Sequence, residues 1–194
     1  MTDTIGAMSF ENPTREERIG FWLEWMLSGP LIRPYLVRLG LRGDETLLEI
    51  GFGGGAVTRQ LARVLRNGRV VGVDPSAYWI EVGKRRLRRA KHVSLFAGDV
   101  LSVDLAPATF DAVLFHYVLH DIPTAERPST FDRIYELLKD GGRLYLREPT
   151  KASHGMPAAE IRRLAESVGL REVSGEERTA RILGPQFFGV FEKV

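Results

Sequence analysis

Glu49 stands two residues ahead of four glycines in five positions, Gly51, Gly53, Gly54 and Gly55, in the stretch LLEIGFGGGAVTRQLA. Glycine at such a turn lets the chain bend at positive φ and lets a ligand lie against bare backbone. Most turns of this kind hold phosphate, because the helix that follows favours an anion at its N-terminus. A carboxylate this close opposes phosphate and attracts a cation. Gly51-x-Gly53-x-x-Ala56 also satisfies the dinucleotide pattern GxGxxA, so the glycines alone leave a dinucleotide open. Asp74 in VVGVD suits ribose hydroxyls in either case. Glu49 decides for a ligand with an ammonium and a sulfonium and no phosphate, S-adenosylmethionine. Asp99 in AGDV is placed to accept a hydrogen bond from an adenine amine. The bland alternatives are turn glycines, a helix-start signal at Asp74-Pro75-Ser76 and a turn aspartate at Asp99.

These residues need elements to hold them. From Thr46 onward, short apolar runs alternate with amphipathic ones, the pattern of βα units and a parallel sheet. TLLEIG, RVVGVD, HVSLFAGD, FDAVLFHYV and GRLYLREP read as five strands, with helices over 56–65, SAYWIEVGKRRLRRA, STFDRIYELLKDGG and PAAEIRRLAESVG. The segments from Leu170 and from Phe187 read as two closing strands, antiparallel because no convincing helix separates them. The spacing thus predicts an α/β fold with a seven-stranded, mostly parallel sheet and helices on both faces. Ahead of it, two helices are expected, one over about 14–27 and one from Pro30 to about Gly40, since proline suits a first helical turn. The chain reads as a single domain, with an N-terminal helical lid over 1–45 and a core over 46–194.

The motifs in order resemble the class I S-adenosylmethionine-dependent methyltransferases: LLEIGFGGG, VVGVDPS, FAGDV, FDAVLFHYVLHDI and LLKDGGRLYLREP. The resemblance spans roughly 46–194. It implies strand order 3-2-1-4-5-7-6 with strand 7 antiparallel, and an enzyme that moves a methyl group to an acceptor. It also implies that Glu49, Gly51, Gly53 and Gly55 hold the methionine end of the cofactor, Asp74 the ribose and Asp99, followed by Val100, the adenine. Pro75 and Ser76 would lie along the nucleoside.

Displacement at a sulfonium needs mainly proximity and alignment, with a base where the acceptor must lose a proton. Histidine is the natural candidate, and the chain has four: His92, His116, His120 and His154. YVLHDIP is similar to a segment of the aromatic O-methyltransferases whose histidine removes the acceptor proton. That similarity makes His120 the expected base and Asp121 its orienter, against a structural or substrate-packing histidine. His116 is expected on the cofactor side of the pocket, and His92 and His154 at the surface. Glu148 would bind an acceptor amine or face water, and Tyr117 would stack on a ligand or pack in the core. Phe21, Trp22, Trp25 and Met26 are more apolar residues than one helix stripe needs. They pack on the sheet edge, close over the acceptor or touch a membrane surface. The connection TKASHGMP is too short for a cap.

With 44% hydrophobic and 27% charged residues in 194, the composition fits one globular core. There is no cysteine, which excludes disulfides and thiolate chemistry, and no metal site is expected. A net charge of +2 is spread along the chain, and KRRLRRAK reads as a solvated helix face rather than a nucleic-acid contact. No basic leader or long apolar run appears, so the expected location is cytoplasmic and the expected partner a small, partly apolar acceptor. The rivals are a nicotinamide-dependent oxidoreductase, a non-catalytic cofactor-binding module and a macromolecular methyltransferase. Oligomeric state and the atom methylated stay open.

Overall fold

The computed structural model describes residues 13–151, 153–180 and 183–194; expectations for the first dozen residues and for the His154 side chain lie outside the described residues. Five parallel strands form the sheet centre: β1 Thr46–Ile50, β2 Arg69–Asp74, β3 Val93–Ala97, β4 Phe110–His116 and β5 Leu138–Lys151. Two long strands close it, which we number β6 (Leu170–Ala180) and β7 (Gly184–Lys193). A two-residue strand, His154–Gly155, pairs with the end of β5. The sheet order is 3-2-1-4-5-7-6, with β7 antiparallel to both β5 and β6. It matches the expected topology strand for strand.

Strand alternation sends successive side chains to opposite faces, and each face has its own core. Leu48, Ile50, Val113, Phe115, Leu144 and Leu146 pack under α4 (Arg127–Leu137) and α5 (Ala158–Ser167), meeting Phe131, Ile134, Ile161 and Leu164. Leu47, Val70, Leu114 and Tyr145 pack under α1 (Arg15–Arg38) and α2 (Ala56–Val64). On that same face α3 (Ala77–Leu87) rides over β2 and β3, where a Cβ at Gly72 or at Gly83 would collide with Leu95 and Phe52. The outer strand β6 carries Arg171, Glu172, Glu176, Glu177 and Arg178, charges that keep a sheet edge from pairing with another chain.

The two expected N-terminal helices are one. α1 runs unbroken through Pro30 and Pro34, each of which removes an intrahelical donor. Packing on both sides of the prolines holds it straight through. Ile32, Tyr35, Leu36 and Leu39 are buried against the sheet, while the buried Ser28 hydroxyl donates to the Trp25 carbonyl and accepts from Gln60 of α2. The N-terminal half instead stands over the carboxyl ends of the strands, with Trp22 and Met26 about half exposed at 51% and 58%. The basic run ends α3 with Lys84, Arg85, Arg88 and Arg89 in solvent, as expected.

Candidate active site

A cavity of about 950 Å³ opens at the carboxyl ends of the strands, beneath α1. The sheet order divides its wall. β1 to β3 contribute Glu49, Gly51, Gly53, Asp74, Pro75, Asp99 and Val100, and β4 and β5 contribute His116, Tyr117, Asp121 and Arg147. Among the described residues six carboxylates line it (Glu24, Glu49, Asp74, Asp99, Asp121 and Glu126) against one guanidinium, that of Arg147.

Glu49 is buried on the β1 face turned toward α1, and its Oε2 has no hydrogen-bond partner. Burial pushes its carboxyl up to about 8; the Glu24 and Asp74 carboxylates add to the effect and the Thr58 dipoles pull the other way. The Thr58 hydroxyl is likewise buried without a partner. Two orphaned oxygens beside a glycine turn are what a cationic group would satisfy. Gly51 and Gly53 hold φ of +70° and +49°, and a Cβ on Gly51 would come within 2.5 Å of Val118. Gly55 serves as the N-cap of α2, also left-handed, rather than as part of the wall.

Asp74 splices the turn to the next unit. Its Oδ2 accepts from the Gly53 amide at 2.8 Å and its Oδ1 from the Ser76 amide at 2.9 Å. Burial raises its pKa while those two amides oppose the rise. Pro75 reaches the wall, but the buried Ser76 is turned inward and its hydroxyl caps α3, accepting from the Trp79 amide. Asp99 stands at the rim, where Oδ1 accepts from the Leu101 and Ser102 amides. The turn and cap roles suggested by residue type are therefore present, together with a place on the cavity wall for Asp74 and Asp99.

Past β4 the arrangement departs from expectation. Tyr117 takes a left-handed backbone, φ +59°, with its amide on the Arg147 carbonyl. That bend aims the Val118 and Leu119 amides at Glu148 Oε1, both at 2.8 Å. Glu148 Oε2 pairs with His120 Nδ1 at 2.7 Å. Glu148 thus neither faces water nor waits for an amine; it is fully buried and holds the turn after β4. His120 is drawn behind the wall, with Nε2 3.5 Å from Asp121 Oδ1, and it is Asp121 that faces the cavity. Burial acts to lower the His120 pKa, but the Glu148 hydrogen bond and the charges of Glu148 and Asp121 outweigh it and raise it. A ring so placed is engaged by two acids and does not line the cavity. Arg127 pins the segment by donating to the His120 and Ile122 carbonyls while pairing with Glu160 of α5.

His116 belongs with β5 rather than with the Asp74 and Asp99 side. Its Nε2 accepts from Arg147 Nη1 at 3.3 Å, and its ring meets those of Tyr35 and Tyr117. Burial, with Arg147 beside it, holds the imidazole down to about 3, so it stays neutral. His92 Nε2 donates to the Ala62 carbonyl of α2 at 2.9 Å, away from the cavity.

The covering helix contributes Phe21, Glu24, Leu31 and Ile32 to the wall, and Phe21 packs on Gly53, Gly54 and the Trp79 ring. Trp22 and Trp25 do not act as a pair: Trp22 is exposed, and Trp25 lies between the guanidinium groups of Arg59 and Arg86. Arg86 also donates to the Gly54 carbonyl. Ala180 at the end of β6 and Leu183 just before β7 also line the cavity. Residue type alone singled out neither Arg147 nor Glu24. The two-residue alternation of β5, Arg143-Tyr145-Arg147 against Leu144-Leu146-Glu148, was the available signal for Arg147.

Residues 47–142 match a family model described as a methyltransferase domain. The chain is 29% identical over 136 residues to a demethylmenaquinone methyltransferase of Symbiobacterium thermophilum, covering 68% of this chain and 51% of that one. It is 35% identical over 106 residues to a 2-phytyl-1,4-naphtoquinone methyltransferase of Thermosynechococcus vestitus, covering 54% and 46%. The chain therefore spans about half the length of these curated relatives. A TehB-like SAM-dependent methyltransferase from Corynebacterium glutamicum has the same fold, with a TM-score of 0.74 at 19% identity over 92% of this chain and 97% of that one. With the matched domain, the strand order and the glycine turn all in agreement, the chain belongs to the class I S-adenosylmethionine-dependent methyltransferases.

Proposed function

We propose that the protein methylates a small, largely apolar acceptor, with the cofactor at the β1–β3 half of the cavity and the acceptor at the β4–β5 half. The observation that carries this reading is Glu49: a buried carboxyl with an orphaned oxygen beside a positive-φ glycine turn fits a cationic ligand and disfavours a pyrophosphate. When bound, S-adenosylmethionine supplies a methyl group on a positively charged sulfur. Glu49 and the backbone of Gly51 and Gly53 would hold its amino-acid end, Asp74 its ribose and Asp99 with Val100 its adenine. The chain's own task is then to align two reactants and exclude water, which α1 does with Phe21, Leu31 and Ile32. Asp121 fronts the acceptor half, and His120 acts through it as a positioning residue.

Calorimetric titration with S-adenosylmethionine, its demethylated product and NAD tests the reading. Binding of the first two at about 10 μM, roughly −7 kcal/mol, is expected. Heat with NAD alone would assign the turn to a dinucleotide. Release of labelled methyl onto an acceptor from a panel of phenols, quinols and amines then separates an enzyme from a binding module. The relatives named for quinone substrates favour beginning with quinols.

A further inference from the structure

Five buried side-chain polar atoms have no hydrogen-bond partner among the described residues. Two, on Glu49 and Thr58, lie at the glycine turn. The other three, the hydroxyls of Tyr35 and Tyr117 and the Gln186 amide nitrogen, belong to residues gathered around Arg147. Arg147 is fixed in place: Nε donates to Gln186 Oε1 at 3.1 Å and Nη1 to neutral His116, while the rings of Tyr117, Tyr35 and Phe188 stand 5.0–5.3 Å from the guanidinium carbon. Those contacts are all to uncharged groups. Glu24 of α1 and Glu148 of β5 are the acids whose fields reach this cluster. Held among these rings and facing a cavity whose other described charged side chains are all acids, the guanidinium has more N–H donors than its two hydrogen bonds use. The Tyr117 hydroxyl lies on the same wall, near Arg147 but completing no hydrogen bond.

We propose that Arg147 and the Tyr117 hydroxyl form a receptor for an oxyanion on the acceptor, so that the substrate class is a planar, delocalised oxygen anion on an apolar body. Phenolates, enolates and aryl carboxylates share that chemistry. The rings around Arg147 suit a flat partner, and charge-assisted hydrogen bonds supply the preference for the anion. Leu31, Ile32 and Leu183 offer the apolar surroundings. This inference rests on the methyltransferase reading above, and it assigns the acceptor rather than the cofactor.

Two probes test it, both with the demethylated cofactor product present. The first is 4-nitrophenol, whose anion absorbs visible light; the second is 4-nitrobenzoate measured against neutral 4-nitrobenzamide. The folded protein is expected to bind at least one anion about 10- to 100-fold more tightly than its neutral counterpart, the scale of a hydrogen bond to a charged group. Preference for nitrophenolate points to phenolate or enolate acceptors, and preference for the benzoate to carboxylates. Arg147→Met should abolish the preference and Tyr117→Phe should reduce it several-fold, with affinity for the cofactor product unchanged in both. If Arg147→Met does not fold, the wild-type preference and Tyr117→Phe still decide. Equal binding of anion and neutral form, no binding of any probe, or a preference that survives Arg147→Met would overturn the oxyanion assignment. Failure of the cofactor product to bind wild-type protein would instead overturn the methyltransferase reading.

Discussion

At the scale of single residues, Glu49 and His120 are both held more strongly to their protons than in an open chain, for different reasons. Glu49 is short of partners, while His120 has two acids beside it. For Glu49, the stability of the folded state is fully present below the unfolded value near 4.5 and is lost as pH rises toward about 8. Glu49→Gln, which mimics the protonated acid, should therefore be more stable than the parent in urea at about pH 9. A cationic ligand reverses the preference, because it wants the carboxylate. Affinity for the cofactor product should rise between about pH 5.5 and 7.5 with release of a proton, seen as buffer-dependent heat in calorimetry. In Glu49→Gln that dependence should flatten and affinity fall roughly tenfold or more.

His120 gives the complementary test. Its folded-state pKa is raised, so its contribution is present below its unfolded value of 6.5 and disappears as pH climbs through the folded value. His120→Ala should cost about 1–3 kcal/mol by leaving Glu148 Oε2 unpaired. That deficit, read from urea midpoints, should shrink at alkaline pH. A variant with parental stability at acid pH but no turnover would favour the base role for His120 over the positioning one. Asp74→Ala belongs at this scale too. The Gly53 and Ser76 amides would lose their acceptor, about 1–3 kcal/mol for each left unsatisfied, so a lower melting temperature should accompany weaker cofactor binding.

Among the elements, α1 is both cover and fastening. Its first half carries Phe21 onto the glycine turn, and its second half is core. Removing residues before about Gly29 should therefore weaken cofactor binding as well as turnover, because Phe21 and Trp25 leave with the segment. Trp25→Ala removes two cation–π stacks, worth about 0.5–2 kcal/mol each depending on burial. It should loosen the cover without unfolding the sheet, detectable as faster hydrogen exchange in α1 together with a melting temperature lower by several degrees. The strands were legible because apolar runs bounded by glycine, aspartate and asparagine leave little choice of element. The unbroken α1 was not, since proline's local signal points to a start and only the packing of Ser28, Ile32 and Tyr35 overrides it. Glu148 was misread for a similar reason. A strand-end acid looks solvent-facing until the turn after β4 is seen to need an acceptor for two amides.

Across the whole molecule, the sheet order divides the cavity wall into two halves; that order was implied by the family resemblance, whereas the place of His116 beside Arg147 was not foreseen. What motifs could not show is which polar residues end with nothing to bond, because that depends on the cover. Among the described residues no helix is long and apolar enough to cross a membrane, so the exposed side of α1 is a surface feature rather than a span.

The placement of orphaned acceptors at one end of the cavity and surplus donors at the other has a consequence for turnover. On the reading developed above, a cation and an anion enter, and their charges annihilate as the methyl group passes between them. A reaction that erases charge runs faster in a dry, weakly polarisable chamber than in water, which solvates the separated ions better than the merging pair. Both products leave with one charge fewer than the reactants brought. The Arg147 pole therefore loses its hold on the methylated acceptor at the moment of transfer, while Glu49 still faces the ammonium of the spent cofactor, so the acceptor is the product released more readily.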